Sequence, residues 1–236
     1  MAAVRFDPQM LDEHLPASAL RYLAHAIEPG APIPRTAEIV FAGQLRLRPR
    51  GPWLRFRARE TLVAATGFVF SARARRGPLP VTTNDRYVDG HADSRIRLFG
   101  VLPIVTRRGP DADRAMRSRL VVESVWLPSA FMPEAGAIWA DDGGGLRLTL
   151  PVHGEDVRAS VRVGASGELR TMRLDRWSDL TDDHTYASIP FETRVEAERR
   201  FGSCTIPSHL RSVWWPGTDR EFEFFQATVQ QASFST

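Results

Sequence analysis

From Thr36 onward the chain alternates apolar with polar or small residues at a period of two. Ile39 and Phe41 begin the pattern, and Leu45 and Leu47 continue it. Leu54, Phe56 and Ala58 then alternate with Arg55, Arg57 and Arg59, and Phe68, Phe70 and Ala72 with Val69, Ser71 and Arg73. Successive strand side chains point to opposite faces, so this pattern predicts strands with one dry and one wet face. Asp89-Gly90 predicts a hairpin turn between two more strands. The alternation returns at Leu146–Leu150 and Val157–Val163, then in Leu169–Trp177, Ser188–Phe201, Thr205–Trp215 and Glu221–Phe234.

Two stretches have a helical period instead. Near the N-terminus, Asp7-Pro8 is a plausible cap, and Leu11, Leu15, Leu20, Leu23 and Ile27 repeat at helical spacing, interrupted at Pro16. Residues 111–127 break the strand pattern and read as a central helix, capped by Asp111 or Asp113 and ended by Pro128. The prediction is a mainly β (α+β) chain. About ten antiparallel strands form a curved sheet or half-open β-barrel, with an N-terminal helix and a central helix plugging the concave side. No linker or repeat divides the sequence. The expected organisation is one domain over 1–236: a helical segment 1–30, first strands 36–100, the helix 111–127 and remaining strands 137–235.

Composition adds little to this and removes several functions. At 236 residues and 43% hydrophobic content, the chain can build a large core. All 31 basic residues are arginines, yet the formal net charge is only +3, so charge gives no case for nucleic acid. The arginines mostly alternate with apolar residues rather than sharing a face with aromatics, and no nucleic-acid partner is expected. Cys204 is the only cysteine, which leaves no internal disulfide. The most apolar stretch, Leu120–Met132, is interrupted by Glu123 and Pro128 and is too short for a bilayer, so no integral membrane segment is expected. Residues 1–10 lack the pattern of a secretion signal, and the expected location is cytoplasmic. Oligomeric state is left open.

Glu123 is the most informative single position. Met116, Leu120, Glu123 and Leu127 share one stripe of the central helix. A carboxylate among apolar side chains is protonated, paired with an arginine or lining a cavity. As a cavity acid it would suit general acid catalysis. Asp85, Tyr87 and Asp89 alternate along one strand face and offer two carboxylates and a phenol to a pocket, or a polar face flanking the turn. Asp175, Arg176 and Trp177 end a strand as an ion pair beside an aromatic wall, or as a solvated edge. Trp126 and Trp139 belong to a tryptophan-rich set suited to core or pocket lining. Asp89, His91 and Asp93 are too weakly spaced to predict a metal, and the scattered histidines give no zinc motif. No phosphate-cradling or dinucleotide-binding glycine motif is present, so no cofactor is expected. Catalytic candidates are therefore Glu123, Asp89 and Asp85. Candidate binding residues are Tyr87, Trp126, Met116, Leu120, Trp139, Arg176 and Trp177. The expected partner is a hydrophobic small molecule.

Four segments, LPASALRYLAHAIEPGAPIP, NDRYVDGHADSRIRLFGVLPIV, SRLVVESVWLPSAFMPEAGAIWA and FGSCTIPSHLRSVWW, resemble a large uncharacterised bacterial family across nearly the whole chain. The ESVWLPSAF block is the most specific. The family is similar in architecture to the lipoprotein-carrier (LolA-like) half-barrels, which implies an apolar ligand in the concavity. The resemblance places Glu123 and Trp126, and Asp85, Tyr87 and Asp89, at matching positions. Unlike the periplasmic carriers, the chain shows no secretion signal. With no cofactor motif, it suits cofactor-independent cyclases or isomerases that fold an apolar polyketide by acid–base catalysis, such as those forming spiroacetals. The alternative is a non-catalytic carrier or sensor of lipid-like ligands.

Overall fold

The structure is a computed structural model that describes residues 4–11, 15–77 and 79–236. Its framework is one antiparallel sheet. The first six strands are β1 (Thr36–Leu45), β2 (Leu54–Val63), β3 (Gly67–Arg76), β4 (Leu79–Val88), β5 (His91–Leu98) and β6 (Leu102–Arg107). After the helix come β7 (Ile138–Asp141), β8 (Leu146–Val152), β9 (Glu155–Val163), β10 (Leu169–Ser178), β11 (Ala187–Phe201), β12 (Cys204–Trp214) and β13 (Phe222–Ser235). The 13 strands run in the order β6-β5-β4-β3-β2-β1-β13-β12-β11-β10-β9-β8-β7, so β6 and β7 are free edges and the sheet does not close. The two halves are meanders joined where β1 pairs with β13, the first strand beside the last.

Thirteen strands replace the expected ten or so. The clearest omission from the sequence reading is the edge strand β6, which is exposed along nearly its whole length and contains Pro103, so it has no buried face to generate alternation.

The helices are α1 (Ala17–Ala26) and α2 (Pro110–Glu123). The expected helix over 111–127 stops at Glu123, and Ser124–Trp126 tightens into a 3₁₀ turn before Leu127-Pro128. In the N-terminal segment, Asp7 caps a short 3₁₀ turn over Pro8–Met10 by accepting from the Gln9 N–H at 2.9 Å, and α1 begins only after Pro16. Residues 1–3 and 12–14 of the expected segment 1–30 lie outside the described residues. No helix among the described residues is long and apolar enough to cross a membrane.

Helix α2 packs on β4 and β5 from one meander and on β9 and β10 from the other. These strands lie toward opposite edges of the sheet, so the sheet must curl around the helix to reach it from both sides. Two contacts hold the wings together beyond α2. The His153 Nε2 lies 2.7 Å from the Thr66 carbonyl, and Arg107 donates to Asp179 at 2.8 Å.

One end of the concavity is solid. The ESVWLPSAF block fills it with buried Val125, Trp126, Leu127 and Phe131. The Trp126 ring lies 4.8 Å from Phe41, and its indole N–H donates to the Pro207 carbonyl at 3.1 Å. Ser124 and Ser129 satisfy their hydroxyls on the Leu120 and Pro34 carbonyls, which lets polar residues sit in the core. Helix α1 closes this end by inserting Tyr22 between Phe131 and Trp139. Gly167, at φ +92°, lets the β9–β10 turn pass beneath α1, because a Cβ there would lie 2.4 Å from the Arg21 carbonyl oxygen.

Candidate functional site

The other end of the concavity is open. A cavity of about 530 Å³ lies between the inner face of the sheet and α2. Its walls include Phe56, Phe70, Ile96, Phe191, Trp214 and Phe225. Leu47 lines it while remaining 69% exposed, which marks the mouth.

The floor is polar and arises from register. Ile39, Glu60, Phe70, Asp85 and Ser94 occupy one row across β1 to β5. Phe56, Ala58, Glu60 and Leu62 are the buried positions of β2, and Glu60 sits among them at zero exposure. The cavity floor is completed by Arg119 and Glu123, one turn apart on α2. The Arg119 Nη1 donates to Asp85 at 2.6 Å and its Nε donates to Glu123 at 2.8 Å. Ser94 donates to the other Asp85 oxygen at 2.6 Å. The guanidinium also lies over Phe68 and Phe70, at 4.8 and 4.6 Å from the ring centroids.

These contacts set the protonation of the floor. Burial raises the Glu60 carboxyl well above the usual glutamate range. The charges of Glu123 and Asp85 raise it further, while Arg119 opposes. Neither Glu60 oxygen has a hydrogen-bond partner among the described residues. A neutral Glu60 is the consistent assignment, because burying a further unpaired charge beside the Asp85–Arg119–Glu123 ion pairs is costly. For Arg119, burial works against its charge, yet the carboxylates of Glu123 and Asp85 outweigh it and hold its pKa above the ordinary value.

Arg176 enters the same cavity from β10 with a different environment. Its guanidinium lies over Phe191 at 4.7 Å and Trp214 at 5.2 Å. No carboxylate pairs with it among the described residues, and its Nε has no hydrogen-bond partner. Burial, reinforced by the like charge of Arg119, pulls its pKa down to about 9. Next to it, Trp177 stacks on Tyr186 and donates to Asp111 at 2.8 Å.

Of the residues singled out from sequence, Glu123, Asp85, Met116, Trp126, Arg176 and Trp177 line this cavity. Glu123 realises both arrangements open to it, the arginine pair and the cavity wall. Four residues lie elsewhere. Asp89 is exposed in the β4–β5 turn at φ +53°, because the strand alternation ends before it. Tyr87 points inward one pleat below the floor, 5.4 Å from the His153 ring. Leu120 is fully buried behind the floor. Trp139 packs on Tyr22 and Phe131 and donates to the Phe131 carbonyl at 2.8 Å. The sequence reading missed Glu60, Arg119 and Ser94. Glu60 continues the inward positions Phe56 and Ala58, and Arg119 stands four residues before Glu123, so both carried a signal.

Among curated proteins, none matches this chain. Several solved structures are similar at very low identity. A putative outer membrane lipoprotein-sorting protein domain from Vibrio parahaemolyticus is 7% identical with a TM-score of 0.45, over 85% of this chain and 86% of that one. A LolA superfamily protein from Nitrosomonas europaea is 8% identical with a TM-score of 0.42, over 93% of each chain. A DUF1329 family protein from Desulfovibrio piger is 9% identical with a TM-score of 0.40, over 92% of this chain and 90% of that one. Residues 5–227 match the model of a family of unknown function, DUF6544, and the chain belongs to that family.

Proposed function

We propose that the protein holds a bulky hydrophobic small molecule in the cavity between the sheet and α2, as a non-catalytic carrier or sensor. The carrying observation is the cavity itself: about 530 Å³, walled by aromatic and aliphatic side chains and ended by a few fixed polar groups. Ligand sites commonly span ~300–1,000 Å³ and have this division between apolar walls and sparse polar anchors. The apolar body of the ligand lies along Phe56, Phe70 and Phe225, and its polar group meets Arg176, whose charge no carboxylate among the described residues neutralises at hydrogen-bond distance. The proposed compartment is the cytoplasm, on the single thiol Cys204.

A direct test is titration with an environment-sensitive apolar fluorophore against the wild type and Ala72→Trp. Ala72 is buried in the cavity wall, so the indole fills the space from the sheet side. Saturable binding that Ala72→Trp abolishes, with the fold retained by circular dichroism, supports the reading. Equal binding by both proteins removes the cavity from it.

A second reading is a cofactor-independent cyclase or isomerase, for instance one closing a polyketide spiroacetal. One observation favours it: Glu123 reaches the cavity wall with the protonated Glu60 carboxyl beside it, a proton store behind a cavity-facing acid. Against it, Glu123 is already engaged by Arg119. A ligand extracted unchanged after incubation, from wild type and Glu123→Gln alike, decides for the carrier. Conversion that Glu123→Gln abolishes decides for the enzyme.

A further inference from the structure

The end of the sheet where the cavity opens is built unlike the rest of the surface. The β1–β2, β3–β4 and β5–β6 connections all lie there, because Leu45 pairs with Leu54, Arg76 with Leu79 and Leu98 with Leu102. Residues 46–55, 73–79 and 97–104 of these hairpins carry four, three and one arginines and no aspartate or glutamate, while Arg107 and Arg108, further along, are paired with Asp179 and Asp93. The whole chain, by contrast, balances 31 basic against 28 acidic residues. The acids of the same rim lie in the loops at 179–186 and 215–221, the second of them beside the β1–β2 hairpin through the β1–β13 pair.

The basic hairpins also present apolar side chains to solvent. In the β5–β6 hairpin, Phe99 is 57% exposed, Val101 77%, Leu102 58% and Ile104 55%, and Leu47 at the β1–β2 turn is 69% exposed. Scattered exposed aliphatics are ordinary, but four within six residues at one hairpin tip form a patch. The patch adjoins the mouth, because Ile96 and Val105 of the same hairpin, with Arg46 and Leu47 opposite, line the cavity.

We propose that this rim docks the protein on an anionic lipid bilayer, with the Phe99–Ile104 tip entering the interface and the surrounding arginines facing lipid headgroups. Two weak signals are combined, apolar insertion and positive charge, as reversible peripheral binding requires. Arg48, at the exposed turn, and Arg46, whose guanidinium lies over Trp53 at 4.7 Å, place charge beside apolar surface. Docked this way, the mouth opens toward the acyl region, and an apolar molecule passes between cavity and bilayer without crossing water. A strand partner at the β6 edge fits less well, because Pro103 removes a donor from an already short edge.

The test is flotation of the full chain with vesicles of phosphatidylcholine alone or with phosphatidylglycerol. The expected result is binding to the phosphatidylglycerol vesicles, weakened at least about tenfold by Phe99→Ser/Val101→Ser/Leu102→Ser and also weakened by salt. A separate single variant reports insertion. Cys204 is fully buried, so Val101→Cys supplies the one accessible thiol for an environment-sensitive label. Its emission is expected to shift to the blue on phosphatidylglycerol vesicles. No flotation with either vesicle, flotation unaffected by the triple variant, or a label that stays in water overturns the proposal. Because no cavity ligand is used, these outcomes do not depend on the carrier reading.

Discussion

Arg119 and Arg176 project into one cavity from α2 and β10, and both lie over aromatic rings, yet their surroundings are opposite. Arg119 holds Asp85 and Glu123 in bidirectional ion pairs and is more firmly charged than an ordinary arginine. Arg176 has two aromatic faces and, among the described residues, no carboxylate at hydrogen-bond distance, and burial with the like charge of Arg119 outweighs the more distant Glu123 and weakens its hold on its proton. Residue type and burial are the same, so pairing alone separates them. A paired guanidinium belongs to the frame of the site. An unpaired one raises the energy of the empty protein and has most to gain from a ligand oxygen.

The largest effect that follows is on the frame. Arg119→Met strands Asp85 and Glu123 without their cation and is expected to destabilise the fold by about 3–5 kcal/mol in urea unfolding. A loss near zero would mean that the triad is not the floor's organising element. Arg176→Met is expected to do the reverse. Stability is held or rises by about 1 kcal/mol, while affinity for an amphiphile with a carboxylate head falls about tenfold or more. A neutral analogue of the same length should bind both proteins equally. If the variant distinguishes neither ligand, Arg176 has no part in recognition.

The carboxyl behind Arg119 sharpens the contrast through pH. Folded Glu60 holds its proton well above the usual glutamate range, so the folded chain binds more protons than the unfolded one above that range. Stability contributed by this site is therefore full at acid pH and declines as pH rises from the ordinary glutamate range through the raised folded value. Glu60→Gln should flatten that decline, read from unfolding midpoints across pH. The smallest effect is at the mouth. Arg107–Asp179 is a part-exposed ion pair across the wings, and Arg107→Ala should cost less than about 1 kcal/mol. Faster exchange of a bound probe, by stopped flow, would show that this pair restrains the mouth.

The same contrast explains how far the sequence could be read. Alternation identified the inner face of most strands, because burial on one side leaves a period of two. It could not give depth. Tyr87 and Asp85 share a face, but one lies beneath the floor and the other in it. It also could not say where a strand stops, which is why Asp89 falls in the turn. Carried two residues past Ala58, alternation would have reached Glu60. Helical spacing would likewise have paired Arg119 with Glu123. Arg176 differs, because being unpaired is a property of everything around it. No pattern along β10 records which carboxylates the other twelve strands bring near.

The most direct test of the central claim is native mass spectrometry of the purified protein, followed by organic extraction and identification of whatever is released. The account predicts a protein that carries, or on exposure takes up at unit stoichiometry, an apolar molecule that Ala72→Trp excludes. A protein that emerges empty and ignores a panel of hydrophobic molecules would contradict it.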